Sequence, residues 1–260
     1  MIHQGNADSS SSSSSPPIPL AGIYMGGPYF DPVTQMSNMF QLPYTLGVIT
    51  RSEMLKYNQA LQNPEEFFPT LVHLYSMTPF YNYDLDDAKD PGVYNHGGLL
   101  DDVMNSRRMR DNAHVGKCPT FKFDTDDIPI KTNSDRMIGV TAELSAIMDN
   151  YKVLIYNGDY DVITSTYSIE QSLMALPWKL QGEYNNSSSR EVWKGEKVKF
   201  NYSPFGDKGG YKVKGYFTKV GDFCRVILHK AGHQATGEQL ENSLHMLKDF
   251  VFHGCIHRER

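Results

Sequence analysis

Tyr151-Lys152-Val153-Leu154-Ile155-Tyr156-Asn157-Gly158-Asp159-Tyr160-Asp161-Val162-Ile163 decides the fold. Residues 153–156 are a short apolar, β-rich run closed by Asn157-Gly158. That is the form of a strand buried on both faces of a parallel sheet. In open α/β sheets the reacting groups sit just beyond the carboxyl ends of the strands. Asp159 and Asp161 stand at that point. A second run, Phe223-Cys224-Arg225-Val226-Ile227-Leu228, repeats the pattern and leads into His229-Lys230-Ala231-Gly232-His233.

Outward from these two strands the chain alternates helix and strand. Upstream, residues 134–150 carry Met137, Ile138, Ala142, Leu144, Ile147 and Met148 at helical spacing; downstream, residues 164–176 read as a helix ended by Pro177-Trp178. Residues 190–194 and 214–228 read as a β-hairpin or meander around a Gly- and Lys-rich loop. Residues 237–252 form a closing helix with Leu240, Leu244, Leu247, Phe250 and Val251 on one face. This alternation is that of an α/β sheet. Structure begins with a short strand at residues 20–26, stopped by Gly27-Pro28 and Asp31-Pro32.

Residues 33–110 differ. Two amphipathic helices are expected near residues 35–46 and 50–61. Pro64, Pro69, Pro79 and Pro91 and the acidic, aromatic stretch Tyr81-Asn82-Tyr83-Asp84-Leu85-Asp86-Asp87 then break the pattern. The block reads as a cap or insertion, its acidic run a solvated surface. Residues 1–19, with Ser9 to Ser15 before Pro16-Pro17, read as a disordered leader. The expected domain spans residues 20–253, with 254–260 a tail.

At 260 residues the chain can bury a full core. A net charge of -5 leaves no basic footprint for nucleic acid. No apolar run is long enough to span a bilayer. Cys118, Cys224 and Cys255 are odd in number, so at least one thiol has no partner within the chain. No Cys/His spacing suits zinc, and Cys224 reads as a small buried hydrophobe in its strand. The N-terminus has no apolar signal core. Asn185, Asn186 and Asn201 nevertheless begin N-x-Ser triplets and are candidate glycosylation acceptors.

An acid after one strand and a histidine after a later one is the second half of a Ser…Asp…His triad. The first half would be a G-x-S-x-G turn, and this sequence contains none. Asp161 suits the acid better than Asp159, which directly follows Gly158 and can serve the turn itself. On spacing alone either aspartate also reads as a loop residue capping the next helix. His233 equally reads as a surface histidine before a helix.

Larger stretches resemble the serine carboxypeptidases, peptidase family S10. Asp149-Asn150-Tyr151-Lys152-Val153-Leu154-Ile155-Tyr156-Asn157-Gly158, then x-x-Asp161, looks like the family's acid motif. Phe223 through Ala231-Gly232-His233 looks like its histidine motif. Ser172-Leu173-Met174-Ala175-Leu176-Pro177-Trp178-Lys179 and Val192-Trp193-Lys194 resemble the vitellogenic-like branch. Arg110-Asp111-Asn112-Ala113-His114-Val115-Gly116 is similar to the family's R-x-A-L/I-H-V helix start. Gly22-Ile23-Tyr24-Met25-Gly26-Gly27 with Asp31-Pro32 is similar to its G-I-x-I-G-N/D-G…D-P strand. The resemblance covers residues 20 to 253, in family order.

It implies the C-terminal part of an α/β-hydrolase fold with a mostly helical cap around residues 33–110. It further implies removal of C-terminal residues from peptides in acid, without metal or cofactor, in a secreted, lysosomal or vacuolar setting. Asp161 and His233 carry over as triad acid and base. The family's G-E-S-Y-A-G and Trp-Asn-Gly-Gly-Pro stretches have no counterpart, and Gln234-Ala235-Thr236 stands where Met-Val-Pro or Ile-Leu-Pro lines the pocket. The chain as written is therefore expected to be inactive. The alternative is a truncated, non-catalytic paralogue that binds peptides or a protein partner. In the family sheet a more central strand lies beside residues 22–25. Here those residues are expected to form an exposed edge through which the chain self-associates.

Overall fold

The computed structural model describes residues 18–63, 66, 69–70, 96–122, 132–187, 190–198 and 210–257. Residues 1–17 of the leader, the acidic aromatic stretch and residues 199–209 of the Gly- and Lys-rich loop lie outside the described residues.

Five strands make one mixed sheet in the order β1-β2-β5-β4-β3. They are β1 (Gly22–Gly26), β2 (Lys152–Gly158), β3 (Glu191–Val198), β4 (Gly210–Val220) and β5 (Phe223–Leu228). β1, β2 and β5 are parallel; β4 runs antiparallel to β5, and β3 antiparallel to β4. β2 is buried from Val153 to Gly158 and β5 throughout, as the two apolar runs require of central strands. Their register pairs Gly158 with Leu228. The loops carrying Asp159 and His229 therefore leave the sheet side by side.

Side chains alternate across this sheet. Leu154, Tyr156, Cys224, Val226 and Leu228 face one core, with Trp193, Phe217, Met246, Phe250 and Ile256. Val153, Ile155 and Phe223 face the other, with Leu144, Met148, Ile169, Leu173, Trp178 and Tyr184.

In chain order the helices are α1 (Pro32–Met36), α2 (Gln41–Thr45), α3 (Arg51–Ala60), α4 (His96–Asn105), α5 (Arg107–Asn112), α6 (Asn133–Arg136), α7 (Thr141–Met148), α8 (Thr166–Ala175), α9 (Gln181–Asn185), α10 (Ala235–Glu238) and α11 (Leu240–His253). The chain forms two compact units, residues 1–83 with 139–260, and residues 84–138. The sheet lies wholly in the first. In the second, Arg110 ties its helix to the following loop through the carbonyls of Val115, Cys118 and Pro119.

The expected helix at residues 35–46 is two, α1 and α2. The turn between them gives the Phe40 N–H to the amide oxygen of Asn58 at 2.9 Å, outside any helical ladder. Asp31 caps α1 by accepting the Thr34 N–H, with Pro32 in the first turn. Thr50 and Glu53 close α3 with a reciprocal capping box. The spacing read as one helix over 134–150 is also broken, because the Val140 N–H turns to Phe30 O at 2.9 Å. α8 is capped by Ser165 and stops at Leu176, which is extended as the residue before Pro177 must be.

Two readings are corrected at the C-terminal end. Cys224 is no lone hydrophobe: it is disulfide-bonded to Cys255. Cys118 is the free, exposed thiol. With Ile256, Cys255 is buried in the core rather than part of a tail. The expected face of α11 holds only in part, with Phe250 and Leu247 on the core. Ser243, Met246 and Phe250 are buried, whereas Leu240, Leu244 and Val251 are exposed. Its apolar residues spread round more than one face. Beyond the helix the left-handed Gly254 ties its N–H to Phe250 O, and the disulfide holds that end against β5.

Candidate catalytic site

Asp161 sits three residues past the end of β2, and its carboxylate is fully buried. Oδ1 accepts the Ile163 and Thr164 N–H groups, both at 2.9 Å, and Oδ2 accepts the Thr164 hydroxyl at 2.8 Å. A buried carboxylate so bonded is held rigidly. Asp161 does not cap the helix that follows, since Ser165 caps α8; it braces its own loop, and its carboxylate has one further neighbour. His233 Nδ1 lies 3.1 Å from Oδ2 and 3.2 Å from Oδ1. A carboxylate can only accept, so Nδ1 carries the proton and Nε2 keeps the lone pair that a base requires. The ring is a quarter exposed.

The two loops are built to meet. Gly158 lets the histidine loop cross: a Cβ there would stand 2.0 Å from Ala231 O and 2.4 Å from Gly232 O. No residue but glycine fits. The Tyr160 N–H donates to Ala231 O at 2.9 Å, and the Gly232 N–H to the Glu238 carboxylate at 2.7 Å.

A third strand closes the site. Gly27, just past β1, has φ of 50° and donates its N–H to Tyr156 O at 2.7 Å. A Cβ at this position would stand 2.8 Å from Thr164 Oγ1, 3.3 Å from Asp161 Oδ2 and 3.5 Å from His233 Cε1. The loop beyond is held by buried Gln35, which accepts from Phe30 N and Asp31 N and donates to Pro28 O. The sequence marks Gly27 as a turn signal and part of the family strand pattern, without placing it over the acid–histidine pair. A second acid–histidine contact, Asp159 Oδ2 to His229 Nδ1 at 2.6 Å, was not read at all.

Below the acid loop lies a charged core. Arg225 is fully buried and donates to Glu170, to Ile155 O and Val226 O, and to the Asn157 side-chain oxygen. The Asn157 amide in turn donates to Gly158 O and Thr166 Oγ1, at the root of the acid loop. Burial pushes the Glu170 carboxyl up, but Arg225, Arg190 and the Tyr184 hydroxyl together hold it below its ordinary value.

The candidate acceptors Asn185 and Asn186 are exposed at the end of α9; Asn201 and Ser9 to Ser15 lie outside the described residues. Among the described residues no group of three His, Cys, Asp or Glu side chains is placed to hold a metal ion. No helix there is long and apolar enough to cross a membrane.

Comparison with known proteins points to the serine carboxypeptidases. The model described as serine carboxypeptidase matches residues 82–253. The probable serine carboxypeptidase CPVL of Pongo abelii is 27% identical over 260 residues, covering 90% of this chain and 50% of its own length. The vitellogenic carboxypeptidase of Aedes aegypti is 23% identical over 267 residues, covering 92% and 52%. The chain thus spans about half the length of the curated relatives it matches. Among solved structures, Kex1(delta)p, a prohormone-processing carboxypeptidase from Saccharomyces cerevisiae, superposes with a TM-score of 0.59 at 13% identity. That match covers 92% of this chain and 56% of the other, and it shows the shared fold.

Proposed function

Because the chain belongs to the serine carboxypeptidase family, peptidase family S10, we propose that Asp161 and His233 are the acid and base of a carboxypeptidase triad acting at the C-terminal end of peptides. One observation carries the reading. The Asp161 carboxylate and His233 Nδ1 meet at 3.1 Å beyond the adjacent carboxyl ends of β2 and β5. In this role His233 Nε2 takes the proton from a serine hydroxyl as it attacks the scissile carbonyl. It then returns that proton to the leaving amine, while Asp161 holds the ring and stabilises the imidazolium. The serine and the oxyanion donors belong to the half of the family fold that this chain does not span. The reading needs no metal or cofactor.

The chain alone then releases no amino acid from acyl dipeptides at acid pH above the buffer rate. Co-expressed with the nucleophile-bearing half of a family member and folded with it, it does so. His233→Ala in that pair removes turnover by on the order of 10⁶-fold. Turnover indifferent to His233→Ala would overturn the assignment.

β1 is an edge strand in the described sheet, with Tyr24 exposed on it. An open edge pairs with another strand, and we infer that copies of the isolated chain associate through it. Analytical ultracentrifugation showing monomer at all concentrations would contradict this.

A further inference from the structure

The turn that carries His233 is gripped from the acid loop. Asp159 reaches across with both carboxylate oxygens. Oδ2 stands 2.6 Å from His229 Nδ1, and Oδ1 accepts the Ala231 N–H at 3.2 Å. Its own N–H donates to Leu228 O at 3.0 Å. A carboxylate only accepts, so His229 Nδ1 carries the proton in this pair. Between the two gripped residues lies Lys230, with φ of 60°. A residue with a side chain holds that left-handed conformation only where its surroundings impose it. Gly232 and His233 follow directly.

The contact downstream is sensitive to where this turn ends. Asp161 cannot follow a displaced histidine, because three protein donors besides His233 fix its carboxylate. The His233 contact is long and divided, at 3.1 and 3.2 Å over the two oxygens. A shift of a few tenths of an ångström takes it out of hydrogen-bond range. The charged groups around the turn are Asp161 on the acid loop, Lys230 within the turn, and Glu238 on α10, which holds the Gly232 N–H. From β4 the Lys214 carbonyl accepts the His229 N–H.

We propose that Asp159 and His229 form a clasp that positions His233 against Asp161. His229 is a positioning residue and takes no part in proton transfer to substrate. The proposal rests on the reading of Asp161 and His233 as acid and base.

Imidazole titration by NMR on the full chain tests it. In the unmodified protein the ring nitrogen shifts of His229 place its proton on Nδ1 at neutral pH. A proton on Nε2 alone overturns the clasp without any variant. His229→Phe keeps the ring's volume and deletes the donor. In the folded variant the His233 midpoint falls by about 0.5 pH unit or more as its carboxylate contact loosens. His229→Asn, whose Nδ2 can stand in for Nδ1, restores the midpoint to within about 0.2 unit. If the ring's position did not matter, deleting the imidazole would leave the Asp159 carboxylate without that donor beside His233 and move the midpoint up instead. A rise or no change in His229→Phe therefore overturns the proposal. Asp161→Asn separates the two layers. If it leaves the His233 midpoint unmoved, the acid–base reading itself falls. If it lowers the midpoint while His229→Phe does not, only the clasp falls.

Discussion

Cys255→Ala opens the bond that ties the end of α11 to the start of β5. The bridged residues are 31 apart in sequence. Loop-closure entropy for that span is worth about 3.7 kcal/mol at 25 °C. The rest of the substitution costs little, because the Cys224 thiol left behind is buried among apolar side chains, where a free cysteine behaves as a small hydrophobe. For a chain of this size the loss corresponds to a fall in Tm of about 7–15 °C. Thermal melts followed by circular dichroism measure it, with intact mass confirming that the wild-type bond is formed. Amide exchange adds a local signature: protection should drop first in α11, whose buried stripe of Ser243, Met246 and Phe250 is otherwise its hold on the sheet. A fall in Tm below about 2 °C would refute the reasoning. It would mean that packing alone holds the helix.

Two further outcomes follow from the site. Glu170 titrates below its ordinary 4.5 in the folded chain. A depressed carboxyl gives stability that is present above the unfolded value and lost as pH falls through the folded one. Glu170→Gln should flatten stability against pH below about 4.5, and should cost about 3–5 kcal/mol at neutral pH by leaving Arg225 buried without its partner. An unchanged acid limb in urea melts would sink that account. Gly27→Ala places a methyl against Thr164 Oγ1 at a left-handed φ. It should cost about 1–2 kcal/mol from the backbone alone and disturb the His233 titration; a variant as stable as wild type, with His233 unmoved, would contradict this.

The central strands were legible because burial on both faces leaves unbroken apolar runs, and those runs end where the site begins. Asp161 and His233 could be named from position and family pattern, although neither residue type is distinctive in a loop. The rest depended on tertiary geometry. An odd set of three cysteines allows three pairings, so the bond of Cys224 to Cys255 had no local signal. On α11 the apolar residues spread round more than one face, so of the expected set Phe250 and Leu247 reach the core while Leu240, Leu244 and Val251 stay exposed. His229 looked like any of nine histidines until β2 and β5 placed it beside Asp159. Gly27 could be read as a turn, but not as the residue whose missing side chain makes room over the acid–histidine pair.

The most direct measurement of the central claim is labelling by a fluorophosphonate, which marks only activated serines. The chain alone should remain unlabelled, since it contains no G-x-S-x-G turn to present a serine to His233. Joined in frame to the nucleophile-bearing half of a family member and folded, it should label stoichiometrically at that half's serine, and His233→Ala should abolish the label. Labelling of the joined protein that survives His233→Ala, or labelling of the chain alone that His233→Ala removes, would contradict the account.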